Sequence, residues 1–409
     1  MWELIAANRR KSNLLFVIMG SCLIILGYLV GSVFFYDNGG LWGIFIAIMI
    51  WTFLSLLSYF SGSSIMLAVS SAKEVTPDVH QQLFNVVEEM KIAAGLTKMP
   101  KVYIINSLAP NAFATGKDPD NCAIAVTAGL LAQLNRDELQ GVIAHETSHI
   151  VNRDVRFITF AGVMIGAIVI ISEVFLRGLW FTGGSSRRYS SKSSGGGQIQ
   201  LIIMIVAIVF AILAPILARL LYFAISRKRE YLADASAARL TRYPEGLASA
   251  LEKISVSTYD LTSANKVTAP MFIVNPLKEK GSAIHNLTST HPPIKERIRI
   301  LRAMSGANYV DYQKAYTGIK NKNDNLIPAS GLSDNVKIDI RGASAFTEPV
   351  ESVKTQRREL GDIMMSVNDY SFIQCECGLR IKIPQGIKTN AVRCPKCGRI
   401  HKVPAKNIA

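Results

Sequence analysis

Four long apolar runs alternate with polar segments along the chain. Residues 14–36 and 41–60 contain no charged side chain, and each run is long enough to cross about 30 Å of hydrocarbon as a helix. The pattern therefore predicts an N-terminal transmembrane hairpin. The runs 157–182 and 199–225 are also long enough to cross, and they predict a second hairpin that returns the chain to the side from which it left.

The polar segments predict one domain in two parts and a separate C-terminal domain. An amphipathic stretch at Val75–Ala94 and strand-like residues at Lys101–Ile105 are typical of a small α+β domain. After Met304 the apolar periodicity fades, as it does in a linker. The predicted organisation is 1–60 transmembrane hairpin, 61–156 first part of the α+β domain, 157–225 second apolar hairpin, 226–304 second part of that domain, 305–370 linker or loosely structured region, and 371–409 small cysteine-rich domain.

Composition supports a membrane protein and orients it. The chain is 49% hydrophobic and 18% charged, below the roughly 25% of a soluble domain, and its mean hydropathy is +0.26. Basic residues are retained on the cytoplasmic side, so the flanks predict a multi-pass protein of the cell membrane with the polar domain and both termini in the cytoplasm. One side carries Arg9, Arg10, Lys11, Lys73, Arg153, Arg156, Arg227, Lys228 and Arg229, and the other carries Arg187, Arg188 and Lys192.

A His-Glu-x-x-His motif is formed by His145, Glu146 and His149. Asn135 and Glu138, upstream, have the spacing of a helix N-cap and its acidic third residue, so the motif is predicted to lie on a helix. Residues four apart share a helix face. The two histidines can therefore bind one zinc ion, with the glutamate between them as general base toward a water molecule.

A catalytic zinc ion needs a third protein ligand and an open position. Glu230 is the best candidate in the sequence, and Asp234 shares its helix face. Asp234 is expected to accept the free N–H of a ligand histidine, with His145 the favoured one, and so to fix its tautomer. A solvated charge pattern beside a membrane helix is the alternative. The even number of apolar runs between His149 and Glu230 favours the metal site, because it returns both residues to one side.

An ordered set of motifs surrounds these residues, and together they resemble the HtpX family of membrane zinc metallopeptidases, relatives of the CAAX prenyl protease. The resemblance covers about residues 1–302 and is far more specific than the His-Glu-x-x-His motif alone. Its motifs are Asn111–Gly116, Ala125–Leu131, Asp137–Leu139, the His145 motif with Asn152–Asp154, the Glu230/Asp234 segment, and His291-Pro292 with Arg297-Ile298.

The resemblance implies a fold and a set of roles. The expected fold is an α-helical multi-pass membrane protein with a cytosolic α+β, mostly helical gluzincin-type metallopeptidase domain. A small C-terminal zinc ribbon, which lies outside the resemblance, is expected from the cysteine spacing alone. By the resemblance, the zinc ligands are His145, His149 and Glu230, and the catalytic residue is Glu146. His291 is expected near the site, where it would polarise the scissile carbonyl or its oxyanion; a helix-entry role beside the following prolines fits the sequence equally well.

The resemblance also implies a strand that binds substrate. Asn111, Ala112, Phe113 and Ala114 would pair by their backbone with an extended peptide. An ordinary hairpin turn at Gly116 is the alternative. The implied activity is hydrolysis of misfolded or damaged membrane proteins, sometimes with self-cleavage, and backbone pairing would make cleavage tolerant of side-chain sequence.

Four of the six cysteines lie close to the C-terminus. Cys375, Cys377, Cys394 and Cys397 resemble the two knuckles of a zinc ribbon, although the first knuckle is one residue short. Four thiolates would hold a second, structural zinc ion in a reducing compartment. A redox-active dithiol and substitution of His401 as a ligand are the alternatives.

The sequence thus favours a zinc metalloendopeptidase that is embedded in a lipid bilayer and acts on polypeptides, with membrane proteins as the expected substrates. An inactive membrane scaffold that presents the ribbon to a cytosolic partner is the alternative. Nucleic acid is not favoured, because the net charge of +15 is divided among membrane flanks, one loop and the cysteine domain. The sequence indicates no partner for the ribbon.

Overall fold

The structure is a computed structural model that describes residues 2–34, 38–182, 196–259, 261, 272–274, 291–320, 326–332, 338–344 and 353–407. The elements in chain order are α1 (Trp2–Phe34), α2 (Gly39–Val69), β1 (Ala72–Glu74), α3 (Gln81–Ala94), β2 (Lys101–Ile105), β3 (Ala112–Asp118), β4 (Asn121–Thr127), α4 (Ala128–Gln133), α5 (Arg136–Val151), α6 (Asp154–Thr182), α7 (Gly196–Thr241), α8 (Pro244–Val256), α9 (Ile294–Arg302), α10 (Tyr309–Lys320), α11 (Ala329–Leu332), α12 (Val353–Val367), β5 (Ser371–Gln374), β6 (Arg380–Ile383), β7 (Ala391–Arg393), β8 (Ile400–Lys402) and a final 3-10 turn, Ala405–Asn407.

The long helices α1, α2, α6 and α7 pack against one another. The rings of Phe16, near the middle of α1, and Phe160, near the start of α6, lie 4.5 Å apart, and those of Phe34, at the end of α1, and Phe175, farther along α6, lie 5.7 Å apart. These two helices therefore run in the same direction. The chain returns toward the four-stranded sheet and its helices through α2 and α7, and the crossing of the membrane by both hairpins stays a prediction.

Within the described residues, three helical segments are long and apolar enough to cross a membrane: Ser12–Phe34, Gly39–Val69 and Leu201–Ala218. Many of their apolar side chains face outward; Leu14 is 61% exposed and Phe60 is 71% exposed. Such exposure is expected of helices whose solvent is lipid. The fourth predicted run lies in α6, and its membrane crossing stays a prediction.

A four-stranded sheet follows the first hairpin. Its strand order is β1-β2-β4-β3, with β2 and β4 parallel and the two outer pairs antiparallel. The predicted strand at Lys101–Ile105 is confirmed as β2. The sequence pattern missed β1, which has only three residues and pairs at the edge. β3 forms the opposite edge of the sheet.

The main core joins the sheet to the helices that follow it. Buried side chains such as Val126 in β4, Val142 in α5, Ala235 in α7 and Leu251 in α8 belong to one apolar cluster. The second half of α7 thus extends beyond its apolar run into the main core. This continuity places α5 and the end of α7 side by side.

The described residues within 305–370, which is predicted as a linker or loosely structured region, include three helices. These are α10, α11 and α12, and Tyr312 and Tyr316 of α10 are buried in the main core. Tyrosines at helical spacing bury large surfaces although they count as only moderately apolar. Ile363 and Val367 attach α12 to the same cluster.

The C-terminal residues form two antiparallel hairpins, β5–β6 and β7–β8. Their small core is separate from the main one and includes Ile381, Ile383 and Val403. Asp362 of α12 connects this part to the rest, because it accepts a hydrogen bond from Arg380 at 2.9 Å. The cysteine-rich part is thus held beside α12.

Candidate metal centre and active site

Helix α5 positions the His-Glu-x-x-His motif. A capping box starts the helix: Asn135 accepts a hydrogen bond from the backbone of Glu138, whose side chain accepts one from the backbone N–H of Asn135. The N-cap predicted from the sequence is therefore confirmed. His145, Glu146 and His149 are all buried, so the motif lies inside the domain, where water is largely excluded.

Glu230 of α7 meets the two histidines of α5. The Nε2 atoms of His145 and His149 are 3.2 Å apart, and the carboxylate oxygens of Glu230 lie 3.6 Å from the first and 3.4 Å from the second. Metal bonds of about 2.0–2.1 Å in tetrahedral geometry separate ligand atoms by roughly 3.3 Å. Glu230 Oε2 makes no hydrogen bond within the described residues. The donor set fits zinc in both chemistry and spacing.

Each histidine is backed by a carboxylate at its other ring nitrogen. Asp234 Oδ1 lies 3.0 Å from Nδ1 of His145, and Asp154 Oδ2 lies 3.3 Å from Nδ1 of His149. Carboxylates in this position orient metal-binding imidazoles. Asp234 thus lies beside His145, the histidine that the sequence favours, and its role in fixing the tautomer stays a prediction. Asp154, which stands in the sequence only as the end of the motif Asn152–Asp154, lies in the same position toward His149.

Arg297 of α9 holds the acidic residues of the centre. It is fully buried, and it donates to both carboxylate oxygens of Asp234 at 2.7 and 2.8 Å. Its Nη1 also lies 3.4 Å from Glu230 Oε2. Burial raises the pKa of Asp234, but the Arg297 guanidinium lowers it further, so the pKa ends below its usual value.

Sequence reasoning assigned Arg297 no role, although a signal exists. The arginine shares the buried face of α9 with Ile300 and Leu301. A charge on an apolar helix face implies a buried partner of opposite sign.

Glu146 lies between the metal centre and the edge strand β3. It is buried, its Oε1 has no hydrogen-bond partner among the described residues, and its carboxylate receives the backbone N–H of Ala114. Burial raises the pKa of Glu146 above its usual value. A carboxyl group with a raised pKa is suited to take up and release a proton near neutral pH.

The outer edge of β3 is partly paired by the chain itself. The carbonyl of Ala112 accepts the N–H of Ile273 at 2.9 Å, and Asn111 Nδ2 donates to the carbonyl of Val274 at 2.8 Å. Of the four residues predicted to bind substrate, Asn111 and Ala112 are therefore engaged by residues 272–274. Ala114 lies beside Glu146, nearer the metal centre.

The ring of Phe113 packs edge-on against Phe272, with centroids 5.1 Å apart. This contact fixes the same segment from the side-chain direction.

His291 lies at the metal centre, immediately before α9. It is buried, and its Nε2 is 3.7 Å from Glu230 Oε2. Burial lowers the pKa of His291 to about 4. A neutral imidazole at this point can donate one N–H, so the position is compatible with the predicted role toward a carbonyl oxygen.

The four C-terminal cysteines converge. The Sγ atoms of Cys375 and Cys397 are 3.4 Å apart, those of Cys377 and Cys394 are 3.6 Å apart, and all four lie within 4.8 Å of one another. None forms a disulfide.

Each cysteine knuckle ends in a glycine with positive φ. These are Gly378 at 81° and Gly398 at 75°, so the shorter first knuckle still closes with the same turn. Although burial raises the pKa of Cys394, hydrogen bonds from the backbone of Cys397 and Lys396 lower it to about 6. Such a thiol readily becomes the thiolate that zinc requires.

Together, the long apolar helices and the buried His/His/Glu centre define a membrane metallopeptidase. The sequence matches the family model described as Peptidase family M48 over residues 74–305, and the chain belongs to that family. Among its relatives named "Protease HtpX homolog", the one from Dictyoglomus turgidum is 48% identical over 303 residues, covering 74% of this chain and 94% of the relative.

A second relative of the same name, from Caldanaerobacter subterraneus subsp. tengcongensis, is 43% identical over 306 residues, covering 75% and 98%. The solved structure "Crystal Structure of S. mikatae Ste24p" matches 74% of this chain and 67% of its own at 21% identity, with a TM-score of 0.38. The family match and the two named relatives confirm the predicted family resemblance and the metalloprotease activity, and an inactive scaffold is not favoured. The family match ends before the cysteine-rich part.

Proposed function

We propose that the protein is a zinc-dependent endopeptidase that cleaves misfolded or damaged membrane proteins on the cytosolic side of the cell membrane. The observation that carries the proposal is the set of three buried ligand atoms from His145, His149 and Glu230, which lie within 4.8 Å of one another. Glu146 follows His145 in the same helix, and its Oε1 has no hydrogen-bond partner among the residues that the structure describes. We assign metal ligation to the first three residues and proton transfer to the fourth.

The chemistry supplied by zinc at this site is Lewis acidity toward a water molecule and a peptide carbonyl. Glu146 accepts the proton of the attacking water and later delivers it to the leaving amine, and its raised pKa suits both steps. His291 donates a hydrogen bond toward the carbonyl oxygen as negative charge develops. Asp234 keeps the His145 ring in one tautomer. No covalent intermediate with the protein is required.

Substrate would bind as an extended strand along the free part of the β3 edge. Strand addition uses backbone hydrogen bonds, and it selects unfolded segments more than particular side chains. Ala114 lies beside the centre, because its N–H donates to Glu146, and this donor would have to leave Glu146 before it could pair with a substrate carbonyl. The engaged edge at Asn111 and Ala112 limits how far a peptide extends in that direction. Tolerance of sequence combined with a demand for unfolded chain fits protein quality control.

We propose that residues 61–156 and 226–304 form one peptidase domain. This domain lies on the cytoplasmic side of the transmembrane hairpins 1–60 and 157–225. The basic flanks support a cytoplasmic catalytic domain and cytoplasmic termini. A reporter that is active only in the cytoplasm, fused after residue 409, should be active. An inactive reporter, together with activity of a reporter inserted at residue 190, would contradict this orientation.

We further propose that Cys375, Cys377, Cys394 and Cys397 hold a second zinc ion. Structural zinc stabilises pieces too small to form an adequate apolar core, and the ribbon core contains only a few buried side chains. Zinc analysis of the full chain should therefore approach two ions. One ion, unchanged after all four cysteines are replaced, would contradict the second site.

The test of the function is a cleavage assay with the purified full chain in detergent. The substrates are one membrane protein in folded form and the same protein after unfolding. The unfolded form should be cleaved, the folded form should resist, and a chelator should abolish cleavage until zinc is returned. A His145→Ala variant should be inactive throughout. Equal cleavage by this variant and the wild type would refute the assigned centre.

A further inference from the structure

A line of polar contacts leads from the metal centre to the first membrane helix. Nδ1 of His149 lies 3.3 Å from Asp154 Oδ2, and Asp154 Oδ1 lies 3.3 Å from Nη1 of Arg229. Nη2 of Arg229 donates to Ser12 Oγ at 2.8 Å. The four residues belong to four different helices, α5, α6, α7 and α1. The contacts therefore connect His149 of the metal centre with the membrane-proximal parts of α6, α7 and α1.

We propose that Asp154 and Arg229 are positioning residues for the metal centre. Through the hydrogen bond of Arg229 to Ser12, they make zinc affinity depend on the position of α1 relative to α6 and α7. The proposal rests on the function proposed above for His145, His149 and Glu230. It concerns residues that bind neither metal nor substrate and act through His149.

Asp154 is placed to orient His149 as Asp234 orients His145. A metal-binding histidine donates its second ring N–H to an oxygen acceptor, and loss of that acceptor typically weakens metal binding. Asp154 is fully buried, so its position relative to the ring is set by packing rather than by solvent. The two carboxylates therefore form a matched pair, one for each histidine ligand.

Arg229 holds Asp154 in place. A buried carboxylate requires a compensating charge, and the Arg229 side chain, only 3% exposed, supplies it. Arg229 also precedes Glu230 directly in α7. A shift of this arginine would therefore reach the metal centre by two routes, through Asp154 to His149 and along the helix backbone to Glu230.

Ser12 places the end of this line at the membrane boundary. It is the first residue of the apolar segment Ser12–Phe34, and Asp154 is the first residue of α6. The contacts thus cross between helices where the long apolar segments meet the peptidase domain. A displacement of α1 along its axis would break the Ser12–Arg229 hydrogen bond and leave Arg229 less constrained.

The test measures zinc affinity of the full chain in detergent, as zinc bound per chain at buffered free zinc concentrations. A His145→Ala variant identifies the binding step that belongs to the catalytic centre. Asp154→Asn should raise the dissociation constant of that step by about 10- to 100-fold. Ser12→Ala should raise it by about two- to fivefold, the size of a modest coupling between sites. Matched controls are Asp362→Asn, a buried aspartate beside the ribbon, and Ser55→Ala, a serine of α2; neither should change it.

The variants test the role of Asp154, the link to α1 and the proposed function separately. If Asp154→Asn lowers thermal stability but leaves the zinc dissociation constant within about twofold, Asp154 is only structural and the proposal is wrong. If Ser12→Ala matches Ser55→Ala, the link to α1 is wrong. If His145→Ala removes no binding step, the proposed function fails instead. Should Asp154→Asn not fold, Arg229→Lys keeps the charge and carries the test, with an expected rise of about threefold or more.

Discussion

Two arginines on one helix allow the effect of burial to be measured. Arg297 and Arg302 both lie on α9, and each contacts two carboxylates. Arg297 contacts Asp234 and Glu230. Arg302 contacts Glu245 and Glu252. Arg297 is fully buried, whereas the side chain of Arg302 is 41% exposed. We expect substitution of each by methionine to have very different consequences.

Arg297→Met leaves two buried carboxylates without their shared cation. Removal of one partner of a buried ion pair costs about 3–5 kcal/mol, and about 2–4 °C of melting temperature corresponds to each kcal/mol in a domain of this size. The melting temperature should therefore fall by roughly 6–20 °C. For Arg302→Met solvent screens the charges and the cost is at most about 1 kcal/mol, so the melting temperature should fall by no more than about 4 °C.

The assay is thermal unfolding of the full chain in detergent at one scan rate, after chelator treatment so that zinc binding does not contribute. A second measurement adds Asp234→Asn to each variant. In the Arg297→Met background the added change should cost much less than it does alone, because the two residues are in contact. Equal shifts for Arg297→Met and Arg302→Met, or additive costs with Asp234→Asn, would refute the argument from burial.

Three further predictions concern other parts of the molecule. Cys394→Ser should reduce bound zinc from two ions per chain to one by elemental analysis, with cleavage retained; loss of neither ion would contradict the ribbon site. A Cβ on Gly43 would lie 2.0 Å from the carbonyl of Gly27, so Gly43→Val should lower the melting temperature in detergent, whereas Gly166→Val, with no atom within 4 Å, should not. Asn135→Ala should cost about 1 kcal/mol of unfolding free energy through the lost helix cap, and an unchanged melting temperature would count against the capping box.

Local features of this site could be predicted from the sequence. Helix capping by Asn135 and Glu138 depends on residues three apart, and the spacing of His145 and His149 sets which helix face they share. Apolar runs indicate membrane helices by length alone. Glu230 is the best third ligand in the sequence because it shares a helix face with Asp234, and the even number of apolar runs between it and His149 agrees with that choice.

Long-range contacts could not be predicted in the same way. Asp154 and Arg229 are separated by most of two long helices, and their contact depends on how α6 and α7 pack. Arg297 reaches Asp234 only because α9 folds back onto the end of α7. Similarly, the buried tyrosines of α10 lie in a segment whose composition suggested a linker, since their burial depends on a core built by distant residues. Contacts between side chains that are far apart in the chain leave no regular spacing in the sequence from which they could be predicted.

The central claim is that Glu146 transfers the proton at a zinc centre formed by His145, His149 and Glu230. The most direct test is the cleavage rate of Glu146→Gln on an unfolded protein, measured at zinc occupancy equal to that of the wild type. The account predicts full zinc binding with a rate reduced by about 10²- to 10⁴-fold. A rate equal to that of the wild type at equal zinc occupancy would contradict it.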